Sequence, residues 1–170
     1  MRFKEGQIVF FKNDSIYSKI ISFYNFSVYG ERGFTHVGII TKVLKDNIQI
    51  HEALSKGFTK SYYSKLEMEA LIDLGDLEIK SAGKLNKVFE NAEKYLGRPY
   101  AWFDIFGIIL SFLFKFRGLR FTGANKLICS EAVARILYDS SNKTIDFVKE
   151  YDKHYGLITP MDIYKSKFLK

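Results

Sequence analysis

The sequence predicts an α+β domain: an antiparallel sheet or barrel of about four to six strands with helices packed on it. Three observations carry that prediction. The strand-like runs HVGIITKV, NIQIHEAL and GFTKSYY follow one another through short turns. Beyond residue 84 the apolar spacing lengthens to that of a helix. Apolar residues make up 47% of the chain and prolines number only two, so a core can form with few breaks. Residues 1–170 read as one domain, without internal repeats, low-complexity tracts or a Pro/Gly/Ser linker.

In chain order, QIVFF is β-branched and aromatic and makes the first strand. A helix follows from Asp14 to about Phe26, capped by Asp14 or Ser15, with Ile16, Ile20, Phe23 and Tyr24 on one face. GERG forms a loop. The three strands then connect through turns at Lys45-Asp46-Asn47 and Ser55-Lys56-Gly57, and a further strand is expected around DLEIK, residues 76–80. From Lys84, the residues Leu85, Val88, Phe89, Ala92 and Leu96 share a helical face, which Gly97 terminates and Pro99 closes off. The most apolar stretch, AWFDIFGIILSFLF at residues 101–114, is too short to span a bilayer and contains Asp104. It reads as a buried helix, with a lipid-contacting surface as the alternative. A basic loop, FRGLRFTGANK, leads into a helix opened by Cys129, and Thr159-Pro160 starts a last helix with Thr as cap and Pro in its first turn.

The formal charge of +7 favours anionic surroundings such as a membrane surface. The lysines are scattered and accompany no nucleic-acid motif, so specific nucleic-acid binding is not expected. One cysteine makes no intramolecular disulfide, and with His36, His51 and His154 far apart it builds no zinc cluster; neither a metal nor a cofactor is expected. The N-terminus, MRFKEGQIVFFKNDS, has no long apolar core of a secretory signal. A cytoplasmic location is expected, with membrane or envelope association as the alternative.

Cys129 is the chain's sole thiol and stands near a helix start, where positive partial charge favours a thiolate. Cys129, Val133 and Ile136 also fall at helical spacing, so the thiol could equally be a small core residue. His36 opens a strand whose third residue is Gly38, and a strand glycine signals close approach of another group. A base histidine needs an acceptor for its second ring nitrogen. Glu52 and His51 in the next strand are the candidates, and because neighbours in a strand point oppositely, at most one faces His36.

The series HVGII, a Glu in HEA sixteen residues after the His, LGRPYAW, ICSEAV and ITPMDIY resembles the permuted papain-like branch of the NlpC superfamily, cysteine hydrolases of the YiiX and YebB type. That branch runs His, acid, Cys, whereas unpermuted NlpC-type peptidases put the cysteine first. The resemblance covers the chain from QIVFF to ITPMDIY and implies a permuted papain-like fold. It implies Cys129 as nucleophile, His36 as general base, Glu52 as the residue that orients the imidazole, with His51 second, and Tyr100 as an oxyanion-hole donor beside the Cys129 N–H. Two departures stand out. Residues 101–128 separate Tyr100 from Cys129, a long insertion for this family, and Ala101 replaces an acidic or polar residue common there.

The implied activity is that of a cysteine peptidase, amidase or acyl-ester or thioester hydrolase working through an acyl-enzyme, on a peptide or acyl-lipid substrate. The alternative is an inactive relative that uses the groove to bind a peptide, amino acid or acyl lipid.

Overall fold

Five strands, β1 (Ile8–Phe11), β2 (His36–Val43), β3 (Asn47–Leu54), β4 (Gly57–Ser64) and β5 (Ile72–Gly75), form one antiparallel sheet in the order β4-β3-β2-β1-β5. The computed structural model describes residues 3–13, 15–69, 72–76, 82–101 and 126–169. Both sheet faces are covered. Ile8, Phe10, Val37, Ile39 and Ala53 join the helices in the larger core, while Val9, Phe11, Ile40, Ile48 and Ile50 pack with Phe3 and Met68 on the other face. Double burial explains the continuous apolar runs IVFF and VGII, where a half-exposed strand would alternate.

The fifth strand sits just ahead of the expected Asp76–Lys80. Its pairing with β1, from Ile8 opposite Gly75 to Phe11 opposite Ile72, fixes it there, and residues 77–80 lie outside the described residues. A short helix α2 (Lys65–Glu69), not among the expected elements, precedes it and brings Met68 to the second core.

Helix α1 (Ile16–Tyr29) starts at Ser15, whose Oγ accepts from the Ser18 N–H at 3.1 Å, and ends at Gly30, where φ is +74°. Its buried stripe is Ser18, Ile21 and Asn25, with Ile20 and Tyr24 half-buried, and the expected inward Phe23 faces solvent. The Asn25 Nδ2 group favours this rotation, donating to the Phe34 carbonyl at 2.9 Å, a bond available only with Asn25 inside.

Helix α3 (Ala82–Tyr95) and helix α4 (Cys129–Ser140) lie against each other, and α4 crosses β2 and β3. Val88 and Ala92 meet the Ala132, Val133 and Ile136 side of α4, and Asn91 donates to Ser140 Oγ at 3.0 Å across the pair. The chain finishes with α5 (Phe147–Tyr151), a 3-10 turn (Tyr155–Leu157) and α6 (Pro160–Tyr164). Thr159 and Asp162 form a reciprocal capping box at the start of α6, with Pro160 in the first turn as expected. Among the described residues no helix is long and apolar enough to cross a membrane. Of the apolar stretch 101–114 only Ala101, which is buried, lies within the described residues.

Candidate active site

His36 is the first residue of β2, opposite Phe11 of β1, and its ring stacks obliquely on the Phe11 ring with centroids 5.3 Å apart. Glu52 pairs directly with Gly38, two residues along from His36, so Glu52 and His36 share a face of the sheet. A side chain on Gly38 would stand 2.6 Å from Ile50 Cγ2 and 3.3 Å from Glu52 Cβ. The bare glycine therefore leaves the diagonal open, and the Glu52 carboxylate crosses it to His36 Nε2 at 2.7 Å. The close approach that the strand glycine signals is that of a carboxylate to a histidine.

This register depends on a bulge. Between Ile40, which pairs Ile50, and Lys42, which pairs Gln49, β2 carries one extra residue, Thr41. The Thr41 hydroxyl bonds His51 Nδ1 at 2.7 Å. His51 pairs Ile39 and so projects from the opposite face, toward α3, where its Nε2 lies 3.3 Å from Glu93 Oε1 but off hydrogen-bond geometry. His51 is thereby removed as the partner of His36.

Cys129 is the first residue of α4, and the larger core surrounds it along with Val133 and Ile136. Ile128 caps the helix without a side-chain hydrogen bond, so no cap side chain occupies the first-turn N–H groups. Ser130 Oγ donates to the Ile158 carbonyl at 2.5 Å and Arg135 holds Glu131 Oε1 at 2.9 Å, which fix that turn against its surroundings. The expected LGRPY segment is threaded between this helix and the β3–β4 hairpin. Phe58 N–H donates to the Arg98 carbonyl at 2.8 Å, Leu127 N–H to Pro99 at 3.1 Å, and Ala101 N–H to Leu127 at 3.1 Å. Tyr100 is thus bridged to Leu127, two residues before the thiol.

Electrostatics couple the three groups. Burial works against a charged His36, but the neighbouring Cys129 sulfur and then the Glu52 carboxylate outweigh it, raising His36 from 6.5 to about 10. Since Nε2 is taken by Glu52, Nδ1 is the ring nitrogen left to face the sulfur. Burial also pushes the Glu52 carboxyl up, but His36 and the Ser61 and Tyr63 hydroxyls hold it below its ordinary value. Tyr63 donates to Glu52 Oε1 at 2.6 Å, and burial, reinforced by that carboxylate, raises the phenol. Exposure is slight throughout, at 2% for Cys129, 7% for His36 and 0% for Glu52.

Of the expected residues, then, the structure brings Cys129, His36 and Glu52 together, bridges the Tyr100 backbone to Leu127, two residues before the thiol, and turns His51 away. Tyr63 is the residue sequence reasoning missed. The hairpin at Ser55-Lys56 could have pointed to it, because counting outward from that turn places Thr59, Ser61 and Tyr63 on the face of Glu52. Compared with models of known protein families and with curated proteins, the chain matches none.

Proposed function

We propose that the protein is a cysteine hydrolase of permuted papain-like architecture that works through an acyl-enzyme on Cys129. The observation that carries this reading is one imidazole bridging a buried carboxylate and the chain's only thiol, with that thiol at the start of a helix. Core packing alone does not call for a charged histidine against the sulfur.

In this reading the Cys129 thiolate attacks an amide, ester or thioester carbonyl, forming a C–S bond and a tetrahedral oxyanion. The Cys129 N–H and the Tyr100 hydroxyl stabilise that oxygen. Collapse breaks the bond to the leaving group, which takes the proton from His36 Nδ1, and an acyl-thioester remains. Water then attacks the thioester as His36 accepts its proton, the acid departs, and the sulfur returns to its pair with the imidazolium. Glu52 holds the ring in one orientation and favours its protonated form. The substrate is a peptide amide or an acyl ester or thioester, and the basic surface favours a substrate near a membrane.

The 2% exposure of Cys129 favours a second reading, in which the thiol is core packing and the surrounding groove only binds. Alkylation separates the two. A thiolate paired with His36 reacts with iodoacetamide at about pH 6, whereas a packed thiol stays inert until the protein unfolds. An acyl adduct on Cys129 by intact mass, after incubation with peptide, ester and thioester panels, is the expected result, with Cys129→Ala as the blank. Native Cys129 that resists alkylation across the pH range would sink the hydrolase reading.

A further inference from the structure

The exposed side of α1 carries Lys19, Phe23 and Phe26 at positions i, i+4 and i+7, a single stripe. Phe23 is 63% exposed and Phe26 54%, large apolar surfaces that a water-soluble helix normally turns inward. The stripe forms one wall of a groove of about 590 Å³, and Lys12, Arg32 and Thr35 line the other. Among the described residues no acidic residue lines it, and Lys12, Lys19 and Arg32 form no ion pair with any described residue. Lys12 Nζ stands over the Phe34 ring at 5.4 Å, and three cations without an ion-pair partner among the described residues, beside two exposed phenyl rings, call for a partner that is anionic and apolar at once.

The groove also has a meaningful position. Thr35 immediately precedes His36, and its hydroxyl accepts from the Asn13 N–H at 3.0 Å where the groove floor begins. The next side of α1, through Ile20 and Tyr24, packs on Ala101 and Ile128, the residue before Cys129. One helix thus carries the amphipathic stripe and packs on the residue before the thiol.

We propose that this groove docks the protein on an anionic phospholipid surface. Phe23 and Phe26 enter the boundary between headgroups and acyl chains, and Lys12, Lys19 and Arg32 meet the phosphates. A free anion gives the two phenyl rings nothing to bury, and the rings project from a convex helix rather than a flat stacking platform, which favours a bilayer over single-stranded nucleic acid. Docking rests on the groove alone. Its consequence, that the acyl bond of a docked lipid lies beside His36, rests on the hydrolase reading.

The test is sedimentation of the full chain with vesicles of phosphatidylglycerol and phosphatidylcholine, or of phosphatidylcholine alone, at about 0.1 M salt. Binding is expected to the anionic vesicles only. The variant Lys12→Ala/Lys19→Ala/Arg32→Ala weakens it about a hundredfold, at about fivefold per cation. The variant Phe23→Ala/Phe26→Ala weakens it at least about tenfold with an unchanged unfolding midpoint, since both rings are exposed. Cys129→Ala binds as the parent does, which keeps failure of docking distinct from failure of the hydrolase reading. Three outcomes overturn the proposal: no binding to anionic vesicles, an equal loss in Lys56→Ala/Lys87→Ala/Lys149→Ala, or full vesicle binding by the folded Phe23→Ala/Phe26→Ala variant. A single-stranded oligonucleotide that binds the parent and loses affinity in the Phe variant, while vesicle binding stays, overturns it as well.

Discussion

Two buried histidines stand on adjacent strands of one sheet, each within reach of a glutamate, and their surroundings drive them in opposite directions. His36 meets Glu52, a fully buried carboxylate at 2.7 Å, and a sulfur on its other side, and it is raised to about 10. His51 meets Glu93, half-exposed and 3.3 Å away, with Lys60 competing for the same oxygen at 2.8 Å. Burial dominates there, with Glu93 raising and Lys60 lowering, and His51 falls below 6.5. A histidine–glutamate pair is therefore not a catalytic device by composition. In the hydrolase reading it becomes one where the carboxylate is buried, aligned and free of a competing cation, and where the thiol takes the second nitrogen.

The harshest way to break this contrast is to remove the members assigned to the reactive side. Cys129→Ala is expected to abolish turnover and His36→Ala to lower kcat by about ten-thousandfold or more. His36→Ala should also push alkylation of Cys129 to higher pH, because the imidazolium that stabilises the thiolate is gone. Steady-state kinetics and iodoacetamide rates against pH check both. Full turnover in His36→Ala would show that the pair is structural.

Glu52→Gln tests the orienting carboxylate and should cost less, about a hundredfold to a thousandfold in kcat, with KM little changed. The sign of its pH effect follows from charge. Glu52 helps raise His36, so neutralising it lowers the His36 value, and the alkaline fall in activity moves to lower pH. Rates that drop without any shift of that limb would mean Glu52 holds the fold rather than the imidazole.

Tyr63→Phe is a finer probe of the same side. It deletes the 2.6 Å bond to Glu52 Oε1, worth about 1 kcal/mol, or about fivefold in rate if all of it reaches the transition state. Since Tyr63 helps hold the Glu52 carboxyl below its ordinary 4.5, its loss lets that value rise. The acid limb of the pH–rate profile should move upward, and an unmoved limb would exclude Tyr63 as a positioning residue.

Much of this site was legible in the sequence, and the part that was not has a definite cause. The hydrophobic runs locate four strands, the helical spacing locates α3 and α4, and Ser15, Thr159 and Gly97 mark element ends through their capping chemistry. The choice between Glu52 and His51 was not legible, because it turns on Thr41. Carried on unbroken from Val43 opposite Ile48, the ladder would set Ile40 against His51 and put His51, not Glu52, on the face of His36. One bulged residue reverses the assignment, and nothing in the composition of HVGIITKV announces it. Phe23 was misplaced for a different reason. Apolar periodicity assigns the ring to the core, whereas the buried Nδ2 group of Asn25 favours the observed rotation of α1.

His51→Leu is the gentlest variant for activity and the one that sharpens the contrast most. His51 is on the other face, so turnover should stay within about twofold of the parent, a surface-like effect on rate. A loss as large as that of Glu52→Gln would mean the faces are assigned wrongly. Stability should respond instead, and with a sign opposite to that of His36. With its folded value held below 6.5, His51 gains its proton later than the same residue in the unfolded chain as pH falls, so the parent loses stability below about pH 6.5. His36, raised to about 10, contributes stability fully below 6.5 and loses it only as pH climbs toward 10. Both proteins keep the His36 contribution, so it cancels in the comparison. Urea unfolding at about pH 7.5 and about pH 5.5 should show a smaller acid loss in His51→Leu than in the parent, even though the leucine removes the 2.7 Å bond to Thr41, whose hydroxyl keeps its 3.2 Å bond to Gln49 Oε1, and costs about 1 kcal/mol at both values. Equal acid losses in the two proteins would mean that His51 is not held neutral, and the distinction between the two histidines would collapse.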